Sequence, residues 1–144
     1  MSVLGELQPN KVFKYFEEIC SIPHGSRNLQ QISDYLVDFA KAHELKYRQD
    51  EDLNVIIWKD GSKGYEASEP VILQGHMDMV AVKEADCDKD MEKEGLDLEI
   101  NGDYISAKGT SLGGDDGIAV AYTLAVLDLS LIHISEPTRR RGIS

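Results

Sequence analysis

Apolar residues recur at helical spacing twice near the start of the chain. Val12, Phe13, Phe16 and Ile19 form one stripe, and Asn10 stands before it as an N-cap. The run Ser21-Ile22-Pro23-His24-Gly25-Ser26 breaks this helix with proline and glycine. A second stripe, Ile32, Leu36, Phe39 and Ala40, follows Asn28 as cap, with His43 near its end. The pattern then changes period. Asn54 to Trp58 is β-branched and aromatic, which predicts a strand, and Lys59 to Gly64 is turn chemistry. Val71-Ile72-Leu73-Gln74-Gly75, after Pro70, is a short apolar run between breakers and predicts a buried strand. Leu96 to Ile100 and Tyr104 to Ala107 alternate apolar and polar around Asn101-Gly102, the signature of a hairpin. Ile118 to Leu127 is apolar nearly all round and predicts a buried helix. Helices before strands, then another helix, predict a layered α/β arrangement.

Composition narrows the function. The chain has 144 residues, 15 basic and 26 acidic, for a net charge of −11. So acidic a surface argues against nucleic acid or an anionic membrane as partner, because both need clustered positive charge. No apolar run approaches the roughly 20 residues that span a bilayer. The first residues lack the basic and apolar regions of a signal peptide, which predicts a cytoplasmic protein. Cys20 and Cys87 have neither disulfide-framework nor metal-type spacing.

The end of the chain differs from the rest. Residues 129–144 carry three arginines and one glutamate, a net of +2, so residues 1–128 carry −13. Leu129 to Ile134 reads on its own as a short strand stopped at Pro137. Leu129 to Arg139 also resembles a translated transposase adapter of the kind used to prepare sequencing libraries. On that reading residues 129–144 are a non-native tail, set aside from fold reasoning together with His133. Residues 1–128 are then part of a longer chain.

Two places carry chemistry. His76-Met77-Asp78 follows the predicted strand directly, where ligands gather in open α/β sheets. His76 and Asp78, two apart, point to the same side of extended backbone. A carboxylate beside an imidazole can fix its tautomer and raise its basicity, as for metal-binding histidines. A partly buried, hydrogen-bonded histidine would read the same way. Gly113-Gly114-Asp115-Asp116-Gly117 stands at the mouth of the last helix. Helix capping accounts for Asp116. It accounts less well for Asp115, since adjacent like charges repel unless a cation sits between them. A carboxylate with two oxygens can bridge two metal ions. Elsewhere, His24 reads as a plain loop histidine and His43 as a helix C-terminal residue. The acids between Glu84 and Glu99 read as a solvated loop, and the cysteines as structural.

Taken together these stretches resemble metallopeptidase family M20. The matching residues are Ser21-Ile22-Pro23 with Ser26, then Leu73-Gln74-Gly75-His76-Met77-Asp78-Met79-Val80, then Lys108 through Ile118. The run Met77-Asp78-Met79-Val80 is similar to the cytosol non-specific dipeptidase branch, which acts on Xaa-His dipeptides. The resemblance implies a zinc-peptidase-like catalytic domain, a central mixed sheet flanked by helices, with residues 1–128 its N-terminal part. It implies His76 as a metal ligand, Asp78 as the catalytic acid that orients it, and Asp115 as a carboxylate bridging two divalent ions. Those ions are usually zinc, with manganese or cobalt as alternatives. It also implies a cis peptide between Asp115 and Asp116, a dipeptide substrate, and a homodimeric whole protein. The family's general-base glutamate and remaining ligands have no counterpart in this sequence, so this polypeptide is expected to be inactive by itself. The alternatives are another M20-type hydrolase, such as a tripeptidase or an N-acyl amino acid deacylase, and a non-catalytic α/β interaction domain.

Overall fold

A computed structural model describes residues 1–129. The expected non-native tail, and the alternative strand at 129–134, lie outside the described residues except for Leu129. The elements run α1 (Asn10–Cys20), α2 (Gln30–Ala42), β1 (Lys46–Gln49), β2 (Val55–Trp58), β3 (Leu98–Asn101), β4 (Tyr104–Ala107) and α3 (Gly114–Leu127).

The core forms where the apolar stripes meet. Tyr15, Phe16 and Ile19 of α1 and Val120, Ala121 and Leu124 of α3 are buried in one cluster, joined by Ile32, Leu36 and Phe39 of α2. Tyr15 meets Phe39 edge to face, with centroids 5.4 Å apart. That aromatic geometry adds to the gain from removing apolar area from water. The end of α3 is clasped to α1 and α2 through Asp128. It accepts from Tyr15 Oη (2.7 Å), pairs with Lys11 Nζ (3.2 Å) and meets His43 Nε2 (3.1 Å).

β1 and β2 pair antiparallel from Lys46↔Trp58 to Gln49↔Val55. β3 and β4 form the expected hairpin, with Asn101 opposite Tyr104 and Gly102 in the turn at φ +62°. These are two separate two-stranded sheets. The α/β class therefore holds, but a central mixed sheet is not assembled among the described residues.

Four local expectations change. Val71–Gly75 forms no strand among the described residues, and Val71 and Ile72 are 83% and 86% exposed. An apolar run becomes a buried strand only where neighbours supply the ladder and cover both faces. Asn10 does not cap α1. Its side-chain amide is taken up by the Gly5 carbonyl (2.8 Å), and Pro9 holds the cap position without a side-chain bond. Asn28 likewise donates to the Glu92 carbonyl (3.0 Å) instead of capping α2. α3 is buried on one side only: Tyr122 and Val126 are exposed opposite the face packed on α1. Among the described residues no helix is long and apolar enough to cross a membrane.

Candidate metal centre

The segment from His76 to Lys83 is held between two loops. On one side Gly25 and Met79 form a parallel bridge, closed by Met79 N–H to the His24 carbonyl (3.0 Å) and Ser26 N–H to the Met79 carbonyl (3.0 Å). On the other side Ser111 Oγ donates to the Val80 carbonyl (2.6 Å), and Ser111 N–H bonds the Val82 carbonyl (3.0 Å). Gly113 sits hard against Met79. A Cβ at Gly113 would lie 3.0 Å from both Cβ and Sδ of Met79, and its φ of +73° is one that side-chain-bearing residues rarely adopt. The chain can therefore turn closely past Met79 and deliver Asp115 and Asp116 to His76. Neither aspartate has helical backbone angles, so regular helix starts at Gly117. The Asp115–Asp116 peptide is cis, as the resemblance implies.

His76 is the hub. Its Nε2 is 3.2 Å from Asp115 Oδ1, and its Nδ1 is 3.1 Å from Asp78 Oδ1. Its backbone N–H donates to Asp116 Oδ2 (3.2 Å), an ordinary use for an acid that makes no side-chain helix cap. The far oxygen of Asp78, Oδ2, accepts from Ser26 Oγ at 2.6 Å. The structure thus brings together all three residues singled out from the sequence, His76, Asp78 and Asp115. It adds Ser26, which the sequence marked only as part of a motif. The group is open to solvent: the side chains of His76, Asp78 and Asp115 are 54%, 36% and 96% exposed.

The electrostatics follow from this chain of contacts. Slight burial works against the charged imidazole of His76. The hydrogen bonds to Asp115 and Asp78 outweigh it and raise the pKa above the ordinary histidine value. The hydrogen bond from Ser26, then His76 itself, holds the Asp78 carboxyl below the usual range against a small opposing effect of burial. His24 is not a plain solvated loop group. It is 2% exposed, its Nδ1 lies 2.6 Å from the Ile22 carbonyl, and burial lowers its pKa.

The donor set fits part of a metal site. Two donors each about 2.0–2.1 Å from one tetrahedral ion lie roughly 3.3 Å apart. Nε2 of His76 and Oδ1 of Asp115 are 3.2 Å apart. Nδ1 of His76 is engaged by a carboxylate, the usual partner of a metal-binding imidazole. Among the described residues, however, no group of three or more His, Cys, Asp or Glu is arranged to hold an ion.

An imidazole and carboxylates gathered in this way at the start of α3 are of the donor types that the class of metal-assisted hydrolases uses. Comparison with known proteins narrows that class. The chain is 40% identical over 134 residues to the cytosol non-specific dipeptidase of Escherichia coli K12, covering 92% of this chain and 28% of that protein. It superposes on the crystal structure of aminoacylhistidine dipeptidase from Vibrio alginolyticus with a TM-score of 0.85 and 38% identity, over 89% of this chain and 26% of that one. No family model matches. Over the stretch it shares with these relatives, the chain is similar to proteins named as dipeptidases. It spans about a quarter of their length.

Proposed function

We propose that this chain is part of a cytoplasmic, metal-dependent dipeptidase that hydrolyses Xaa-His and related dipeptides as a homodimer. Residues 1–128 are, on this reading, the N-terminal part of the catalytic domain. His76 is a ligand, Asp78 orients it, and Asp115 bridges two divalent ions, usually zinc, with manganese or cobalt as substitutes. The observation that carries the reading is the His76–Asp115 donor pair at 3.2 Å with Asp78 behind the imidazole. It lies in a chain 40% identical to a protein named as a dipeptidase.

Each residue has a distinct task. Asp78 stands at Nδ1 and would hold its proton there once an ion is bound, so that the lone pair of Nε2 is turned to the ion on the Asp115 side. Asp116 ties the His76 backbone to the start of α3 and keeps the two donors in register. Asp115 turns one oxygen to His76 and is otherwise open, which leaves its second oxygen for a second ion. Bound divalent ions would polarise the scissile carbonyl and lower the pKa of a coordinated water.

The test is zinc titration and dipeptide hydrolysis on this chain, on the chain extended along its genomic reading frame, and on H76A and D115A of the extended form. The extended chain is expected to bind zinc and cleave Xaa-His dipeptides, with both properties lost on chelation and in H76A. The 144-residue chain is expected to show no turnover. Catalytic zinc takes about three protein ligands, and the described residues bring two donors together. Hydrolysis that survives chelation would refute the metal reading. Absence of stoichiometric zinc from the extended chain would favour an interaction domain instead.

A further inference from the structure

The loop between α1 and α2 is built to deliver one hydroxyl. Gly25 and Met79 are bridged in parallel, and backbone bonds fix the loop on both sides of that bridge: Met79 N–H to the His24 carbonyl and Ser26 N–H to the Met79 carbonyl, each 3.0 Å. Gly25 is buried against Ala81, and a Cβ at Gly25 would come within 2.8 Å of the Ala81 Cβ. Beyond Ser26 the chain turns sharply: Asn28 N–H closes on the Gly25 carbonyl (2.8 Å) and Arg27 adopts φ +70°, left-handed for a non-glycine residue. The result places Ser26 Oγ 2.6 Å from Asp78 Oδ2 and 3.4 Å from the Met79 carbonyl. A hydroxyl has one proton to give, and the shorter contact, to a carboxylate, takes it.

We propose that Ser26 is a positioning residue for His76: by holding Oδ2 of Asp78, it turns Oδ1 to Nδ1 of the imidazole and so sets Nε2 towards Asp115. The assignment rests on the reading of His76 as a metal ligand. Without the Ser26 contact, the Asp78 carboxylate is free to rotate away from Nδ1, and the ring loses the partner that fixes its orientation. The Ser26–Asp78 bond is open to solvent. Its loss therefore costs little stability, because water replaces it, and its worth lies in orientation. This makes the proposal testable without unfolding the chain.

The experiment uses nitrogen-15 NMR of the His76 ring in the metal-free 144-residue chain at a fixed pH of 8, followed by titration with zinc alone. Wild type is expected to show the Nδ1 resonance of a nitrogen hydrogen-bonded to a carboxylate. Ser26→Ala is expected to shift that Nδ1 resonance as the Asp78 contact loosens, and to weaken zinc binding at His76 about 10-fold, the lower end for loss of an outer partner of a ligand. Ser26→Thr keeps the hydroxyl and is expected to behave as wild type. Gly25→Ala, which pushes the loop off Ala81, is expected to reproduce the Ser26→Ala spectrum. Backbone amide spectra separate this effect from loss of fold. An unchanged Nδ1 resonance and zinc affinity in Ser26→Ala, or a Ser26→Thr chain that behaves like the alanine variant, would overturn the proposal. Zinc binding that persists undiminished in His76→Ala would instead overturn the ligand reading, and the Nδ1 comparison would still judge Ser26.

Discussion

Gly113→Ala tests how the fold brings Asp115 to His76. Gly113 has φ +73°, and an added Cβ would stand 3.0 Å from both Cβ and Sδ of Met79. Two costs follow. The left-handed backbone costs a non-glycine residue roughly 1–2 kcal/mol. The close contact adds about 1–3 kcal/mol of overpacking, because Met79 is 3% exposed and its Cβ cannot move without its backbone. Gly102→Ala isolates the first cost: Gly102 has φ +62° with nothing within 4 Å of the added Cβ. The unfolded-state gain of replacing glycine is common to both variants and cancels. Urea denaturation is the assay. With a slope of about 1.5 kcal/mol/M, in the usual range for small proteins, Gly113→Ala should lower the midpoint by roughly 1–3 M and Gly102→Ala by about 1 M or less. Equal midpoints for the two variants within about 0.3 M would refute the packing half of the reasoning. A Gly113→Ala chain that keeps its stability would refute both halves.

Two further outcomes follow from groups outside the site. Burial works against ionised Asp128, but hydrogen bonds from Tyr15 and Lys11, then His43, prevail and hold its carboxyl below the ordinary value. Its folded pKa is therefore depressed, so its stabilisation is complete above the unfolded value near pH ~3.9 and is lost as pH falls through the folded one. The stability difference between wild type and Asp128→Asn, measured by urea melts from pH 3 to 8, should be about 1.5–3 kcal/mol near neutrality and shrink in acid; a difference independent of pH would refute the clasp. Cys20 is 1% exposed, and burial pushes its thiol up to about 12. Ellman's reagent should therefore label the partly exposed Cys87 first, with Cys20 reacting only on unfolding. Equal labelling rates in the native chain would contradict that placement.

What was legible in the sequence was local. Helical spacing located α1 and α2, and Asn101-Gly102 located the β3–β4 hairpin, because those patterns are set by residues within a few positions of each other. The apolar run also locates α3, but it predicts burial for Tyr122 and Val126, which are exposed, since composition does not say which neighbours are present. The sequence pattern does not mark β1 as a strand. Lys46-Tyr47-Arg48-Gln49 is polar and exposed, and pairing with Val55–Trp58 makes it one. The site divides in the same way. His76 and Asp78 are two apart, a spacing that pairs them in the sequence itself. The His76–Asp115 approach spans 39 positions and the Ser26–Asp78 bond 52. Only the family resemblance pointed across the first of these distances, and nothing in the spacing pointed across the second.

The bare Val71-Ile72-Leu73 stretch also sets the colloidal behaviour of the chain. It presents exposed apolar side chains on backbone that makes no ladder among the described residues, a surface on which another chain can add. At neutral pH the charge of −11 holds neighbouring copies apart. Near the isoelectric point of about 4.7 that repulsion vanishes while the sticky strip remains. Mild acid should therefore precipitate this chain well before it unfolds it, and added salt, by shortening the reach of the repulsion, should widen the pH range over which it does so.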